Sequence, residues 1–427
     1  MNRTLICAIS ALACAAAVCA QTRDVTVTIS NPSATDRCYE PIAISLNKVK
    51  KLNFEVKNAE VRDMATGKLL PVQVDDTDGD RKHDEIFFLA NMKAGEKKQY
   101  MVSLKGTTVA DEDKKVTDKD EEQEHFIYTA LQLRDKADKH PDVLRVEAPG
   151  SSNVFNDIYM HGVTIESDIV GYRIYFDHRQ NIDLYGKRKK RIEIPVTQFY
   201  TTAAQLQEGY GVDVLWAGGA IGCGSLKDWK DNQPSNWTDV EVRGQRIVAT
   251  GPLRTIVEVY DLGTSDGKGS TFDMTQRYTL CAHHRDLQVD VSLNGARGKT
   301  LCTGVQKVGA TATDSVRQGH ASTGFARADG LTASWGCDYP DMGKKHIWAP
   351  QAIGMAAYVP QKHMEGTKED DLNYLLLTRP DDEGKLRYHV TFCAAMEEDG
   401  AKTSTEWMAE AEAWMERLKT QVTITIK

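Results

Sequence analysis

The stretch that decides the fold reads Gly171-Tyr172-Arg173-Ile174-Tyr175-Phe176-Asp177. With the period of two that a strand imposes, Arg173, Tyr175 and Asp177 share one face while Tyr172, Ile174 and Phe176 share the other. An apolar face backed by a charged one is how a half-buried strand reads. The same texture recurs on both sides. Upstream lie Val25-Thr26-Val27-Thr28-Ile29, Pro41 to Leu46, Phe54-Glu55-Val56, Val72-Gln73-Val74, Glu85 to Leu89, Tyr100 to Leu104 and Val163-Thr164-Ile165. Downstream lie Ile192-Glu193-Ile194, Ile256 to Tyr260, Gln276 to Leu280, Leu287 to Leu293 and Val422 to Ile426. Turn residues such as Asn31-Pro32, Thr66-Gly67 and Ala94-Gly95 punctuate the first group. Short alternating strands with regular turns, and no βαβ alternation, predict a mainly β chain with antiparallel sheets.

Residues 106–124 are charge-dense and of mixed sign, with Asp111-Glu112-Asp113-Lys114-Lys115 and Asp118 to Glu122, and read as a linker or exposed loop. They separate an expected N-terminal β-sandwich, residues 21–105, from a larger unit, residues 125–427, expected as a sandwich of two curved sheets. One helix is expected, from Thr405 to about Lys419. Thr403 and Glu406 have capping-box spacing, and Trp407, Ala411, Trp414 and Leu418 fall on one face as a packing stripe.

Residues 1–20 have the form of a signal peptide, with Arg3, an apolar run from Leu5 to Val18, and a small-residue end at Val18-Cys19-Ala20. The expected protein is therefore exported and periplasmic. A lipoprotein or secreted form is the alternative, although Val18 suits a lipidated Cys19 poorly. No later stretch is apolar over the ~18 residues a membrane span needs. Cys38, Cys223, Cys281, Cys302, Cys337 and Cys393 remain after cleavage, too sparse and without CxxC, and are expected mostly as buried thiols. Lys plus Arg number 53 against 61 Asp plus Glu, a net charge of −8, which gives no general attraction for nucleic acid or anionic membrane.

Four groups of residues have chemistry to offer. Asp76, Asp78, Asp80 and Asp84 alternate in a tight loop, as carboxylates converging on Ca²⁺ do, and a structural Ca²⁺ is the candidate cofactor. Arg81 stands where such a loop places its turn glycine, and the alternative is a polar hairpin turn between Val72–Val74 and Ile86–Leu89. The segment from His161 to Arg191 holds His161, Glu166, Arg173, Tyr175, Arg179, Tyr185 and Lys187, with five consecutive basic residues from Lys187. Such a row lines a groove or forms the solvent side of a sheet. Residues 209–237 hold Asp213, Trp216, Trp229 and Trp237 among glycines, without a phosphate loop or a nucleophile elbow. Flat aromatic faces suit sugar rings, and tryptophans plugging a sandwich end are the alternative. Trp335, Tyr339, His346 and Trp348 form a weaker cluster of the same kind. His283-His284 lacks zinc spacing, and His284 is retained as a groove residue.

Pro71 to Asp80, Gly171 to Asp177, Asp183-Leu184-Tyr185-Gly186-Lys187 and Asp213-Val214-Leu215-Trp216-Ala217-Gly218-Gly219 together resemble one group. It is the exported proteins of glycan-degrading Gram-negative bacteria grouped as domain-of-unknown-function family 4861. The resemblance spans nearly the whole chain after the leader. It implies a setting of polysaccharide utilisation, often of uronate-containing pectic glycans, and a large domain similar to the galactose-mutarotase-like supersandwich. The family loop usually reads Asp-Gly-Asp-Gly, so Arg81 departs from it. No catalytic residue is carried across.

The expected function is a carbohydrate-active enzyme on an acidic, uronate-containing oligosaccharide, by lyase-type β-elimination. That reaction needs a group neutralising the carboxylate, a base and an acid. Arg173, Arg179 or Lys187 is the neutralising candidate, and His161 with Tyr175 or Tyr185 supplies base and acid. Hydrolysis by two carboxyls among Glu166, Asp177, Asp183 and Asp213 is the enzymatic alternative. Glycan binding on Trp216, Trp229 and Trp237 is the non-catalytic one.

Overall fold

The computed structural model describes residues 21–106, 126–135, 139–309 and 322–427. The expected signal peptide and nearly all of the charged linker lie outside the described residues.

The N-terminal unit packs two antiparallel sheets. One runs in the order Thr423–Ile426, Thr22–Ser30, Lys97–Lys105, Asn58–Asp63, Leu69–Leu70, and the other Arg37–Ser45, Glu85–Met92, Gln73–Asp75. Alternation puts Val25, Val27 and Ile29, Ile42 and Ile44, Ile86 and Phe88, and Val102 and Leu104 into one core. Each such fully buried side chain contributes roughly 1.5–3 kcal/mol. The last strand, Thr423–Ile426, belongs to this unit, pairing Val27 with Ile426 and Ser30 with Thr423. The boundary drawn at 125–427 therefore gives way to a chain that returns to its first strand.

The large unit sets a nine-stranded sheet, from Thr323–Ala326 at one edge to Arg145–Pro149 at the other, against two five-stranded sheets. The first of these runs Val212–Asp213, Ile182–Gly186, Gly171–Tyr175, Ile158–Ser167, Ile127–Leu133. One continuous core joins the layers, with Ile165, Tyr172, Ile174 and Leu184 meeting Val257, Val259, Met274, Val289 and Val291. This is the expected antiparallel supersandwich.

Two local expectations fail. Phe54-Glu55-Val56 forms no strand, and the chain pairs only from Asn58. Ile192-Glu193-Ile194 ends in a helical turn, α1 (Ile194–Thr197), because Pro195 lacks a ladder N–H but suits the first helical turn. A second short helix, α2 (Ala203–Gln207), follows. The C-terminal helix, α3 (Ser404–Lys419), forms where expected. Thr403 and Glu406 close a capping box, and Trp407, Ala411, Trp414 and Met415 are buried. Its Trp407 ring lies on Gly354, where a Cβ would come within 2.3 Å of the indole. All six cysteines expected to remain after cleavage are free, with Cys38 alone among them exposed.

Candidate functional site

The charged face of Gly171–Tyr175 looks away from the core, and cross-strand register assembles its partners. Arg173 pairs in register with Asp183, so opposite charges stand directly across from one another. Asp213 enters from the next strand, paired with Tyr185. The Arg173 Nη2 donates to Asp183 Oδ2, donates to the Tyr175 hydroxyl at 3.0 Å, and lies 3.4 Å from Asp213 Oδ2. Tyr175 donates in turn to Asp183 Oδ2 at 2.9 Å, and Arg173 Nη1 donates to the Tyr200 hydroxyl at 3.3 Å. Burial, reinforced by Asp183, pushes the Asp213 carboxyl well above the carboxylate range. Burial and then the Asp183 charge raise the Tyr175 phenol far above its ordinary value, so it keeps its proton.

His161 arrives by a different device. The ladder between Ile158–Ser167 and Ile127–Leu133 shifts register between Tyr159 and Thr164. Met160 and His161 there take φ of 55° and 63°. Gly162 is required beside them, since a Cβ would lie 1.9 Å from the Ile174 carbonyl oxygen. This bulge swings His161 out of the strand alternation. Its ring stacks on Phe155 at 4.0 Å and meets Tyr175 edge-on at 6.5 Å. Its Nδ1 lies 2.9 Å from the Phe155 carbonyl oxygen, a contact that assigns the proton to Nδ1 and leaves Nε2 as a lone pair. Burial lowers its pKa, helped by Arg173 and Arg179 and opposed by the Phe155 bond.

These groups line one cavity of about 300 Å³. His161, Arg173, Tyr175, Arg179, Asp213 and Trp216 meet there, with Trp216 half-exposed at 50%. Asp183, Phe155, Tyr200, Asp341, Lys344 and Trp348 are also among the lining residues. The Lys344 ammonium sits 4.8 Å from the Tyr200 ring centroid and 4.4 Å from that of Trp348, which anchors its indole N–H on the Thr201 carbonyl at 2.8 Å. Trp348 carries the aromatic signal already noted, and Asp183 stands among the candidate carboxylates. Lys344 and Asp341 come from a distant loop that no local pattern ties to this face.

Six of the expected groove residues lie elsewhere. Glu166 and Lys187 form a buried ion pair at 2.6 Å, and Glu166 accepts the N–H groups of Glu193 and Ile194 at 2.7 and 3.0 Å. Tyr185, also buried, contacts Glu193 and Thr201 at 3.3 Å each. These three brace the excursion through α1 and α2 over the sheet. Trp237 is buried, donating to the Leu226 carbonyl at 3.0 Å, so it plugs the sandwich as the alternative reading held. Trp229 packs against Ile221, Cys302 and Leu375. His284 contacts the Tyr39 carbonyl oxygen at 2.8 Å and Asp286 at 3.2 Å, a latch between the two units.

Asp76, Asp78 and Asp84 bring carboxylate oxygens within 4.8 Å of one another, with Asp80 outside that set. These oxygens already serve the hairpin. Asp76 accepts Gly79 N–H at 2.6 Å and Arg81 N–H at 2.7 Å, and Asp84 accepts the Thr77 hydroxyl at 2.8 Å. Arg81 adopts the left-handed φ of 71° that a glycine would take there. A larger cavity, about 880 Å³, lies on the outer face of the nine-stranded sheet. Its lining includes the ion pairs Arg277–Glu258 and Arg387–Asp290, at 2.6 Å each.

Comparison with known proteins places this geometry in context. No curated protein matches the chain in sequence. Similar crystal structures include a protein of glycosyl hydrolase family 38 from Enterococcus faecalis, at TM-score 0.43 and 8% identity, covering 95% of this chain and 47% of that one. An alpha-mannosidase from Enterococcus faecalis V583 gives 0.41 and 8%, covering 95% and 46%. A protein assigned as an aldose 1-epimerase from Klebsiella pneumoniae gives 0.30 and 8%, covering 69% and 96%. The chain thus spans less than half the length of the first two. A family model described as a domain of unknown function (DUF4861) matches residues 29–424, and the chain belongs to that family.

Proposed function

We propose that the protein is an exported carbohydrate-active enzyme that cleaves an acidic, uronate-containing oligosaccharide by β-elimination in the His161–Tyr175 cavity. The observation that carries this reading is an imidazole, held through Nδ1 by the Phe155 carbonyl, meeting a phenol edge-on at 6.5 Å in one small cavity. His161 Nε2 takes the proton α to the uronate carboxylate, and the electron pair left behind forms the ring double bond. The glycosidic C–O bond breaks, and Tyr175 gives its proton to the leaving oxygen. Arg173 and Asp183 hold that hydroxyl in place, and Lys344 faces the substrate carboxylate. In this reading Tyr175, which burial keeps protonated, is the acid and His161 the base.

Incubation with pectic and glycosaminoglycan oligosaccharides should yield an ultraviolet-absorbing unsaturated uronide. His161→Ala and Tyr175→Phe should each lower kcat/KM by at least about 10²-fold while remaining folded. Full activity in both variants would remove this site.

Hydrolysis remains a second reading because two buried carboxyls, Asp183 and Asp213, reach the same guanidinium nitrogen and Asp213 is held toward its protonated form. New reducing ends without the ultraviolet product would select it. Saccharide binding with neither product would leave a binding protein.

A further inference from the structure

A second cavity, of about 350 Å³, adjoins the first, and Phe155 and Arg179 line both. The geometry points to a second glycosyl subsite there, holding a neutral sugar unit next to the one beside His161. This rests on the reading that the first cavity holds a sugar. The substrate is then an oligosaccharide lying across the Phe155–Arg179 boundary.

The two shared side chains are built as a fixed divider. Phe155 stacks on His161 with its plane only 3° from the imidazole, and the Arg179 guanidinium carbon lies 5.3 Å from the Phe155 centroid. Asn153 Oδ1 accepts the Phe155 N–H at 3.3 Å, so the turn that forms the second cavity also sets the ring. Ser151, Ser152 and Asn153 are exposed on that turn and offer hydroxyls and an amide. Opposite them, Arg179 Nε donates to Asp177 Oδ2 at 2.8 Å. Arg243, the other cation of this cavity, is committed inward to Asp261 at 2.7 Å and to the Trp237 carbonyl at 2.6 Å. With both cations paired, the cavity has no spare positive charge for a carboxylate. Short hydroxyls, an amide, a satisfied ion pair and an aromatic face suit the hydroxyl-rich, half-apolar surface of a neutral sugar.

The test uses calorimetric titration of the full chain carrying Tyr175→Phe, which holds turnover down. The probes are free uronates, uronate–uronate disaccharides, and disaccharides joining a uronate to a neutral sugar, from pectic and glycosaminoglycan backbones. The mixed disaccharide should bind at least about tenfold tighter than the uronate alone. Ser152→Trp, which fills the second cavity from its exposed rim, should erase that gain while leaving uronate affinity within about twofold. Ser151→Trp on the same turn is the independent probe, with thermal melting confirming the fold of each. A gain that survives both tryptophans overturns the subsite while the first cavity's role stands. Equal loss for uronate and disaccharide overturns it in favour of a single site. If no saccharide binds the native protein, the sugar reading of the first cavity falls and the subsite falls with it.

Discussion

His161 sits on strained backbone that only a bulge and Gly162 permit, and strain of that kind collects where a side chain must be aimed. The base role proposed for it needs the neutral ring, and its pKa lies below the ordinary 6.5 because of burial. The acid limb of kcat/KM should therefore have its midpoint below about 6.5, and a midpoint above that value would remove His161 as the base. Lys227 raises a separate question. It is buried, donates to the Arg179 carbonyl and to Asn181 Oδ1, and so holds two cavity residues from beneath. Burial brings its pKa down from 10.5 to about 7. Between those values the unfolded chain carries a proton that the folded chain lacks, so this group makes stability rise with pH from about 7 to 10.5. Denaturant midpoints measured across that window should rise less in Lys227→Met than in the native protein. The types His161, Arg173, Tyr175 and Asp213 are legible in the sequence as titratable and aromatic density. Their convergence is not, since register and the bulge between Tyr159 and Thr164 decide it.

At the scale of elements, alternation is a dependable guide wherever one face is buried, because a slip of one residue would expose every apolar side chain. Tyr172 and Ile174 turn inward and Arg173 and Tyr175 outward, as the pattern predicts. It misleads at Ile192-Glu193-Ile194, where Pro195 and the buried Glu166–Lys187 bracket favour a turn. The α3 helix shows how closely elements meet. Gly354→Ala would drive a methyl into Trp407, and we expect a loss of about 1–3 kcal/mol in urea denaturation, with α3 displaced. The Asp76–Asp84 hairpin closes through its own N–H and hydroxyl donors. Chelator should therefore leave the melting temperature unchanged, and a calcium-dependent rise would establish an ion site there instead.

Across the whole molecule, the final strand and several side chains, Arg254 and His284 among them, tie the two units. Thr423–Ile426 completes the N-terminal sheet, and Arg254 of the nine-stranded sheet reaches Asp75 and Glu85 at 2.6 Å each. Gln73 adds bonds at 3.1 Å to the Arg254 carbonyl and to the Leu253 and Arg254 N–H groups. Removing one partner of a buried ion pair leaves the other charge stranded. Arg254→Met should cost about 3–5 kcal/mol and separate the melting of the two units in calorimetry. A single unshifted transition would show that the pair does not carry the docking.

Local pattern was enough for the mainly β class, the antiparallel sandwiches, the capped C-terminal helix and the aromatic, titratable stretch from His161 onward. All of these follow from periodicity and capping, which act over a few residues. Folding in three dimensions selected His161, Arg173, Tyr175, Arg179, Asp213 and Trp216 for one cavity and added Asp183 and Lys344. It turned Glu166, Lys187 and Tyr185 into a brace, and it sent the final strand back to the first. Those outcomes depend on cross-strand register, a bulge and packing between segments far apart in the chain, and no window of sequence contains them.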